Sequence, residues 1–341
     1  MLDITPSPLL IPLHSPHPPL LPPPPHCPRS PEAVEYEERS RGRRESLVKA
    51  SDFVTLNLAT PTLLSPFPGK AGNGKSCWAE PDSNCFNVRG STYAEDGKKE
   101  PAGVRMFELL AVEGLKVEDR YDHVATRRGG VIDQMNNGGG AGNNAGNKPF
   151  MIVFNFQMPG YSMVLHFRYS ALAGEAGDGV SEGQRRLLRN FVDGTDAFRS
   201  ERLKLIPTVT SGPWMVKQVV GAKPAIIGKA LKTQYFRQRG GGAGGAGGAG
   251  GAGAESKGGE GGGSGVGGAL EGYLEVDIDV SSSYVARKIL GVVSGASKSI
   301  VIDLAFVIQG NEEAELPEKV LGCVRLHKVN LNEFVPVEIS P

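Results

Sequence analysis

The chain has 341 residues and no net charge, 37 lysines and arginines standing against 37 aspartates and glutamates, which excludes a protein that holds nucleic acid through a global basic excess. Its 47 glycines and 25 prolines exceed ordinary usage, so much of the sequence lies outside a packed core and a single domain is expected. Four cysteines, Cys27, Cys77, Cys85 and Cys323, form no CxxC pair, which argues against a disulfide framework or a zinc site and for a reducing compartment.

Taken in chain order, residues 1–76 read as a disordered proline-rich and charged tail. PSPLLIPLHSPHPPLLPPPP favours extended polyproline conformation, which either docks an SH3-like or WW-like partner or is plain unstructured chain. Asp3 and the prolines disqualify this start as a signal peptide. The basic run Arg41, Arg43 and Arg44 is solvated linker or touches acidic lipid. No apolar run in the sequence reaches the roughly 18 to 20 residues that span a bilayer, so the expectation is a cytoplasmic protein whose membrane attachment, if any, is peripheral.

Composition changes at Cys77, where a domain over 77–331 is expected to begin, followed by a tail over 332–341. Short strands are predicted over Asn84 to Arg89 and Val104 to Val112, and an interrupted helix over Asp119 to Met135. A Gly/Asn loop over 136–147 precedes the best hairpin in the chain. Phe150, Ile152, Phe154 and Phe156 share one strand face. Pro159 and Gly160 suit the centre of a type II turn, and Tyr161, Met163, Leu165, Phe167 and Tyr169 share one face of the return strand. These aromatic faces are ordinary core, or they line a lipid cavity to which Phe154, Phe156, Phe167, Tyr169 and Trp214 would contribute.

Ser181 to Val192 has the apolar period of an amphipathic helix, and Leu203 to Val209, Trp214 to Val220 and Ala225 to Phe236 read as three strands. The GGA repeats of 240–268 bury almost nothing and form a loop insertion, which costs only about 1.7 kcal/mol of extra closure entropy. Leu274, Val276, Ile278 and Val280 then alternate with Glu275, Asp277 and Asp279, a strand with one apolar and one polar face. Ser281 to Ser283 offer N-cap hydroxyls to a helix carrying Val285, Ala286, Ile289, Leu290 and Val293, with Gly295 as its stop. Ile300 to Ile308 is a doubly buried strand interrupted by Asp303. The unit at 273–308 is strand, helix, strand, and parallel neighbours would imply a right-handed crossover. Val320 to Val329 forms the last strand. The fold class is α+β, a largely antiparallel curved sheet with a few packed helices.

FNVRGSTYAEDGKKEPA, ERLKLIPTVTSGPWMVKQVVGAKPAIIGKAL, YLEVDIDVSSSYVARKI and IVIDLAFVIQGNEEAELPEKVLG together resemble the C-terminal domain of the plant Enhanced Disease Resistance Two family, over about Cys77 to Leu331. The positions that carry the resemblance include Trp78, Arg89, Gly90, Tyr93, Arg202, Lys204, Pro207, Trp214, Glu275, Asp277, Asp279, Asp303, Leu316, Pro317 and Glu318. In plant relatives this domain commonly follows a phosphoinositide-binding PH domain and a lipid-binding START domain, and the family is implicated in restraining defence responses and cell death. Nothing before Trp78 has the length or pattern of either domain. The resemblance assigns the domain no chemistry of its own.

Enzyme signatures are lacking. His123, His166 and His327 are scattered, no G-x-S-x-G elbow is present, and GAKPAIIGKA has the wrong spacing and Ala230 where a P-loop needs Ser or Thr. No catalytic residue, cofactor or metal is assigned. Glu275, Asp277 and Asp279 would stand about 6.7 Å apart along one face, repelling by about 2.5 kcal/mol per adjacent pair at an effective dielectric near 20. Their counter-charge is expected from Arg202 and Lys204, the alternative being a divalent metal. Asp303 needs an ion pair or a backbone donor. Arg89, Lys98, Lys99, Lys217, Lys223 and Lys229 lie near turns or strand ends, where a lipid headgroup would reach them, although a charged surface explains them equally.

Three functional classes follow. The first is a non-enzymatic lipid-binding or membrane-peripheral regulator whose partner is a lipid or phosphoinositide membrane. The second is a protein-interaction scaffold with a solid core, and the third a metal protein or enzyme using Glu275, Asp277 and Asp279.

Overall fold

A computed structural model describes residues 62–66, 76–137, 148–170, 179–221, 224–240 and 270–337. The strands, in chain order, begin with β1 (Ser65–Pro66), β2 (Cys77–Ala79), β3 (Asn87–Arg89), β4 (Lys99–Pro101) and β5 (Phe107–Lys116). The hairpin follows as β6 (Met151–Met158) and β7 (Tyr161–Tyr169), then β8 (Leu203–Ser211), β9 (Ala225–Ile226) and β10 (Lys232–Gln238). The last four are β11 (Tyr273–Asp279), β12 (Val301–Ile308), β13 (Val320–His327) and β14 (Val335–Pro336). Between them run α1 (Tyr93–Asp96), α2 (Val131–Asn137), α3 (Glu182–Asp193), α4 (Asp196–Arg202), α5 (Trp214–Val220), α6 (Ile227–Ala230) and α7 (Tyr284–Ala296).

This is the expected α+β class, and its antiparallel-rich strands are divided between two sheets. The first runs β10-β11-β6-β7-β5-β14 and the second β1-β2-β13-β12-β8-β9, with β3 and β4 forming a separate ribbon. Among the described residues, parallel pairing occurs only at β1–β2, β11–β6 and β14–β5. Gly160, at φ +79°, makes the hairpin turn that keeps Phe154 opposite Leu165 and Ile152 opposite Phe167.

The two sheets bury their apolar faces against each other. Ile152, Phe154, Leu165, Phe167, Leu274, Val276 and Ile278 of the first meet Leu304, Phe306, Leu321 and Val324 of the second. Phe154 stacks on Phe306 with centroids 3.8 Å apart, and Phe167 meets Phe306 edge-on at 5.9 Å. Helix α3 closes the core with Leu187, Leu188, Phe191 and Val192. Its start is a capping box between Ser181 and Gln184. At its end, buried Arg199 donates to the carbonyls of Phe191 and Val192 at 2.9 and 2.7 Å.

The outer faces are covered too. The β3–β4 ribbon lays Phe86, Val88 and Ala102 over Ile206, Ala305, Val307 and Cys323 of the second sheet. The chain from Val117 to Met135 covers the first sheet, placing Val117, Val124, Ala125 and Ile132 over Met151, Val153 and Tyr273.

Several sequence expectations are corrected. Trp214–Val220 is a helix, because Pro213 at φ −57° starts it and Gly221 at φ +59° ends it, and its β-branched residues do not overcome those boundaries. The strand expected over Ala225 to Phe236 is broken by α6. The helix expected over Asp119 to Met135 is a short 3-10 turn at Val124–Thr126 followed by α2. Helix α7 continues through Gly295. It carries the chain from β11 in the first sheet to β12 in the second, so those strands are not neighbours and no crossover forms.

Part of the expected tail belongs to the fold. Leu64 accepts a 2.9 Å hydrogen bond from Trp78 Nε1, and Thr62 Oγ1 donates to Glu113 at 2.8 Å. The proline tract, the basic run, the Gly/Asn loop from 138 and the GGA repeats from 241 lie outside the described residues.

Candidate functional site

The pairing of β10, β11 and β6 sets up a polar field on the outer side of the first sheet. One row aligns Lys232, Asp279 and Gln157, the next Gln234, Asp277 and Asn155, and the third Phe236, Glu275 and Val153. The alternation in the sequence does put the three carboxylates on one face, but that face is covered: Glu275 and Asp277 are 0% and 1% exposed. Their partners come from the covering chain. Asp277 accepts from the backbone N–H of His123 at 2.7 Å and from Asn155 Nδ2 at 2.9 Å, and Glu275 accepts from the N–H of Ala125 at 3.2 Å. His123, held at φ 56°, stacks on Phe236 at 4.3 Å.

The expected pairing with Arg202 and Lys204 does not occur. Those two side chains belong to the α4–β8 junction on the second sheet, where Arg202 meets Glu315 at 2.9 Å and Lys204 meets Glu318. Burial pushes both Glu275 and Asp277 well above the usual carboxylate range, and repulsion from Asp277 adds to the rise at Glu275. Of the two, Glu275 is raised further. Among the described residues, no three His, Cys, Asp or Glu side chains converge as metal ligands.

Beyond this buried pair the field opens to solvent. A cleft of about 600 Å³ lies between the start of β10, the end of β11 and α6, lined among others by Arg120, Gln157, Lys229, Lys232, Gln234 and Asp279. Asp279 is occupied by the N–H and hydroxyl of Ser281 at 2.9 and 2.6 Å and lies 3.8 Å from Arg120. Lys229 and Lys232 are exposed, and neither forms an ion pair with another described residue.

Helices α5 and α7 pack against each other beside this cleft. Trp214, Met215, Tyr284 and Val285 are 72%, 60%, 66% and 65% exposed, so four large apolar side chains of two adjoining helices face water. Of the predicted apolar side of α7, Val285 is exposed and Ala286, Ile289, Leu290 and Val293 are only half-buried, and no residue of the helix is fully buried. A groove of about 560 Å³ runs along Tyr284, Arg287, Lys288, Gly291 and Val292. Lys217, Arg287, Lys288 and Lys298 are cationic, whereas Trp214–Val220 and Tyr284–Ser299 contain no carboxylate. Lys288 lies over the Tyr284 ring at 5.4 Å. Among the described residues no helix is long and apolar enough to cross a membrane.

The remaining candidates are dispersed. Phe154, Phe156 and Phe167 are spent on the inter-sheet core, and half-buried Tyr169 packs edge-on to Phe107 at 5.2 Å, so the aromatic faces form core. Trp214 is exposed on α5 and takes no part in that core. Arg89 is committed to structure: its Nη1 donates to Gly310 at 2.7 Å, its guanidinium covers Tyr93 at 4.9 Å, and Glu318 lies 3.7 Å away. Glu318 also accepts from the N–H groups of Arg89 and Gly310. Gly90 and Lys99 sit at and on the β3–β4 ribbon, where the Gly90 N–H donates to Lys98. Pro207 pairs with Leu304 inside the second sheet, and the cis Leu316–Pro317 bond precedes Glu318. Asp303 has its ion pair, a two-pronged contact from Arg325 at 2.7 Å. Lys217 stands on α5, Lys229 at the cleft, and Lys223 outside the described residues. Sequence reasoning missed Arg120, Lys232, Tyr284, Arg287 and Lys288. For the last three the available signal was a helix rich in exposed-type cations with no acid among them.

Comparison with known proteins gives one consistent answer. The family model "Protein ENHANCED DISEASE RESISTANCE 2, C-terminal" matches residues 78–330. A relative from Arabidopsis thaliana, Protein ENHANCED DISEASE RESISTANCE 2-like, is 35% identical over 266 residues, covering 77% of this chain and 30% of its own length. The chain therefore spans less than a third of that relative. No solved structure matches the chain.

Proposed function

Because the chain belongs to the ENHANCED DISEASE RESISTANCE 2 C-terminal family, related to plant defence regulators, we propose that it is a non-enzymatic regulatory module that docks on the surface of an anionic membrane through α5 and α7. One observation carries this reading: Trp214, Met215, Tyr284 and Val285 are exposed together on a surface whose charged side chains are all cationic. Aromatic rings with a polar edge suit the headgroup layer, and Met and Val suit the acyl boundary below it. Each of Lys217, Arg287 and Lys288 adds about 1 kcal/mol near an anionic leaflet. The mode is peripheral attachment rather than enclosure of a lipid, since Phe154 and Phe167 are taken up by Phe306.

Tryptophan emission tests it. Adding phosphatidylserine vesicles to the full chain should shift the emission to the blue, and Trp214→Phe should abolish the shift while Trp78 remains as an internal control. Emission unchanged by vesicles contradicts docking. The filled inter-sheet core favours a second reading, a protein-interaction scaffold that offers the same face to an acidic protein partner. Under that reading the emission is indifferent to lipid.

A further inference from the structure

Resting on the docking reading, we infer that the cleft beside Lys232 binds a phosphorylated polyol, presented as the headgroup of a lipid in the membrane on which α5 and α7 sit. The cleft continues the docking surface through two adjacent serines. Arg287 of α7 donates to the Ser281 carbonyl at 2.6 Å, and Ser282 Oγ accepts the N–H of Lys232 at 2.9 Å. A headgroup in the cleft thus lies beside the first turn of the helix that meets the bilayer.

Its chemistry follows from the lining. Lys229 and Lys232 have no ionic partner among the described residues, and two unpaired ammonium groups at one opening call for an anion with more than one charge. Arg120 adds a third cation. It contacts Asp122 at 2.8 Å and keeps further N–H donors. The acids on the floor do not offset this attraction in full. Both oxygens of Asp277 are engaged by His123 and Asn155, and Asp279 is held by Ser281 and Arg120. Gln234 is exposed and supplies an uncharged donor and acceptor, and the Oε1 of Gln157, whose Nε2 is taken by Tyr121 and Asp122, adds an acceptor; an inorganic phosphate does not need these and the hydroxyls of a polyol do. At about 600 Å³ the space exceeds one phosphate and suits a substituted ring.

The test uses the full chain and two probes. Calorimetric titration with soluble inositol trisphosphate should show binding that weakens by about tenfold or more in each of Lys229→Gln and Lys232→Gln. These side chains are exposed, so folding is retained. In flotation, the chain should prefer vesicles carrying a phosphatidylinositol bisphosphate over phosphatidylserine vesicles of equal total charge, and the lysine variants should lose only that preference. The double variant Trp214→Ser, Tyr284→Ser should lose both vesicle types yet still bind the soluble probe, which separates failure of the docking reading from failure of the cleft. Soluble binding with no vesicle preference overturns the lipid source and assigns the cleft to a free phosphorylated polyol. No binding of inositol trisphosphate, or binding indifferent to both lysine variants, overturns the proposal.

Discussion

Phe154 of the first sheet lies flat on Phe306 of the second, with ring centroids 3.8 Å apart and planes 8° from parallel. That contact joins the two sheets at their centre and occupies the space in which a lipid carrier would hold its cargo. Phe154→Ala should therefore act as a core truncation. It should cost about 3–5 kcal/mol in chemical denaturation without altering vesicle binding at permissive temperature.

Gly322 is the small residue that lets this layer close. A methyl group there would meet the Phe167 ring at 2.5 Å, so Gly322→Ala should destabilise by about 1–3 kcal/mol although it adds only one carbon. Combining it with Phe167→Leu should recover part of the loss, and the midpoint of urea unfolding reads both.

The buried pair Glu275 and Asp277 makes stability depend on pH. Both carboxyls hold protons more tightly folded than unfolded, because burial disfavours their charge. Stability from this source is complete below the ordinary carboxylate value of about 4 and falls as pH rises through the elevated folded values. Glu275→Gln keeps an oxygen for the Ala125 N–H and cannot ionise. Its melting temperature should gain on the wild type between about pH 5 and about pH 8. A parallel dependence in the two proteins would show that Glu275 does not titrate on unfolding.

Lys204 and Glu318 form a buried ion pair between β8 and the start of β13. Burial lowers the lysine's pKa and the carboxylate opposes that fall. Lys204→Met should cost about 3 kcal/mol, the low end for a broken buried pair, because Arg89 remains 3.7 Å from Glu318. Differential scanning calorimetry measures the loss.

Local patterns legible in the sequence describe much of this fold. The alternation Leu274, Val276, Ile278 does point into the core, Ser283 of the serine run does cap α7, and the run to Ile308, interrupted only by Asp303, is a doubly covered strand. Partners distant in sequence were not legible. Arg202 and Lys204 reach Glu315 and Glu318 more than a hundred residues away, while Glu275 and Asp277 are satisfied by backbone N–H groups, which carry no residue-type signal. The Trp214 segment shows the competing pulls on a short element: Pro213 and Gly221 framed a helix that Val216, Val219 and Val220 obscured. Exposure was the other missing quantity. Nothing in the pattern of Tyr284 and Val285 distinguishes an outward-facing pair from one packed against the sheets.

Flotation of the full chain with phosphatidylserine vesicles, set beside the Trp214→Ser, Tyr284→Ser double variant, tests the docking claim most directly. The wild type should float, release as salt is raised, and exceed the variant by about tenfold or more, with circular dichroism and melting unchanged between them. Equal flotation of the two proteins, or none by either, would contradict attachment through α5 and α7.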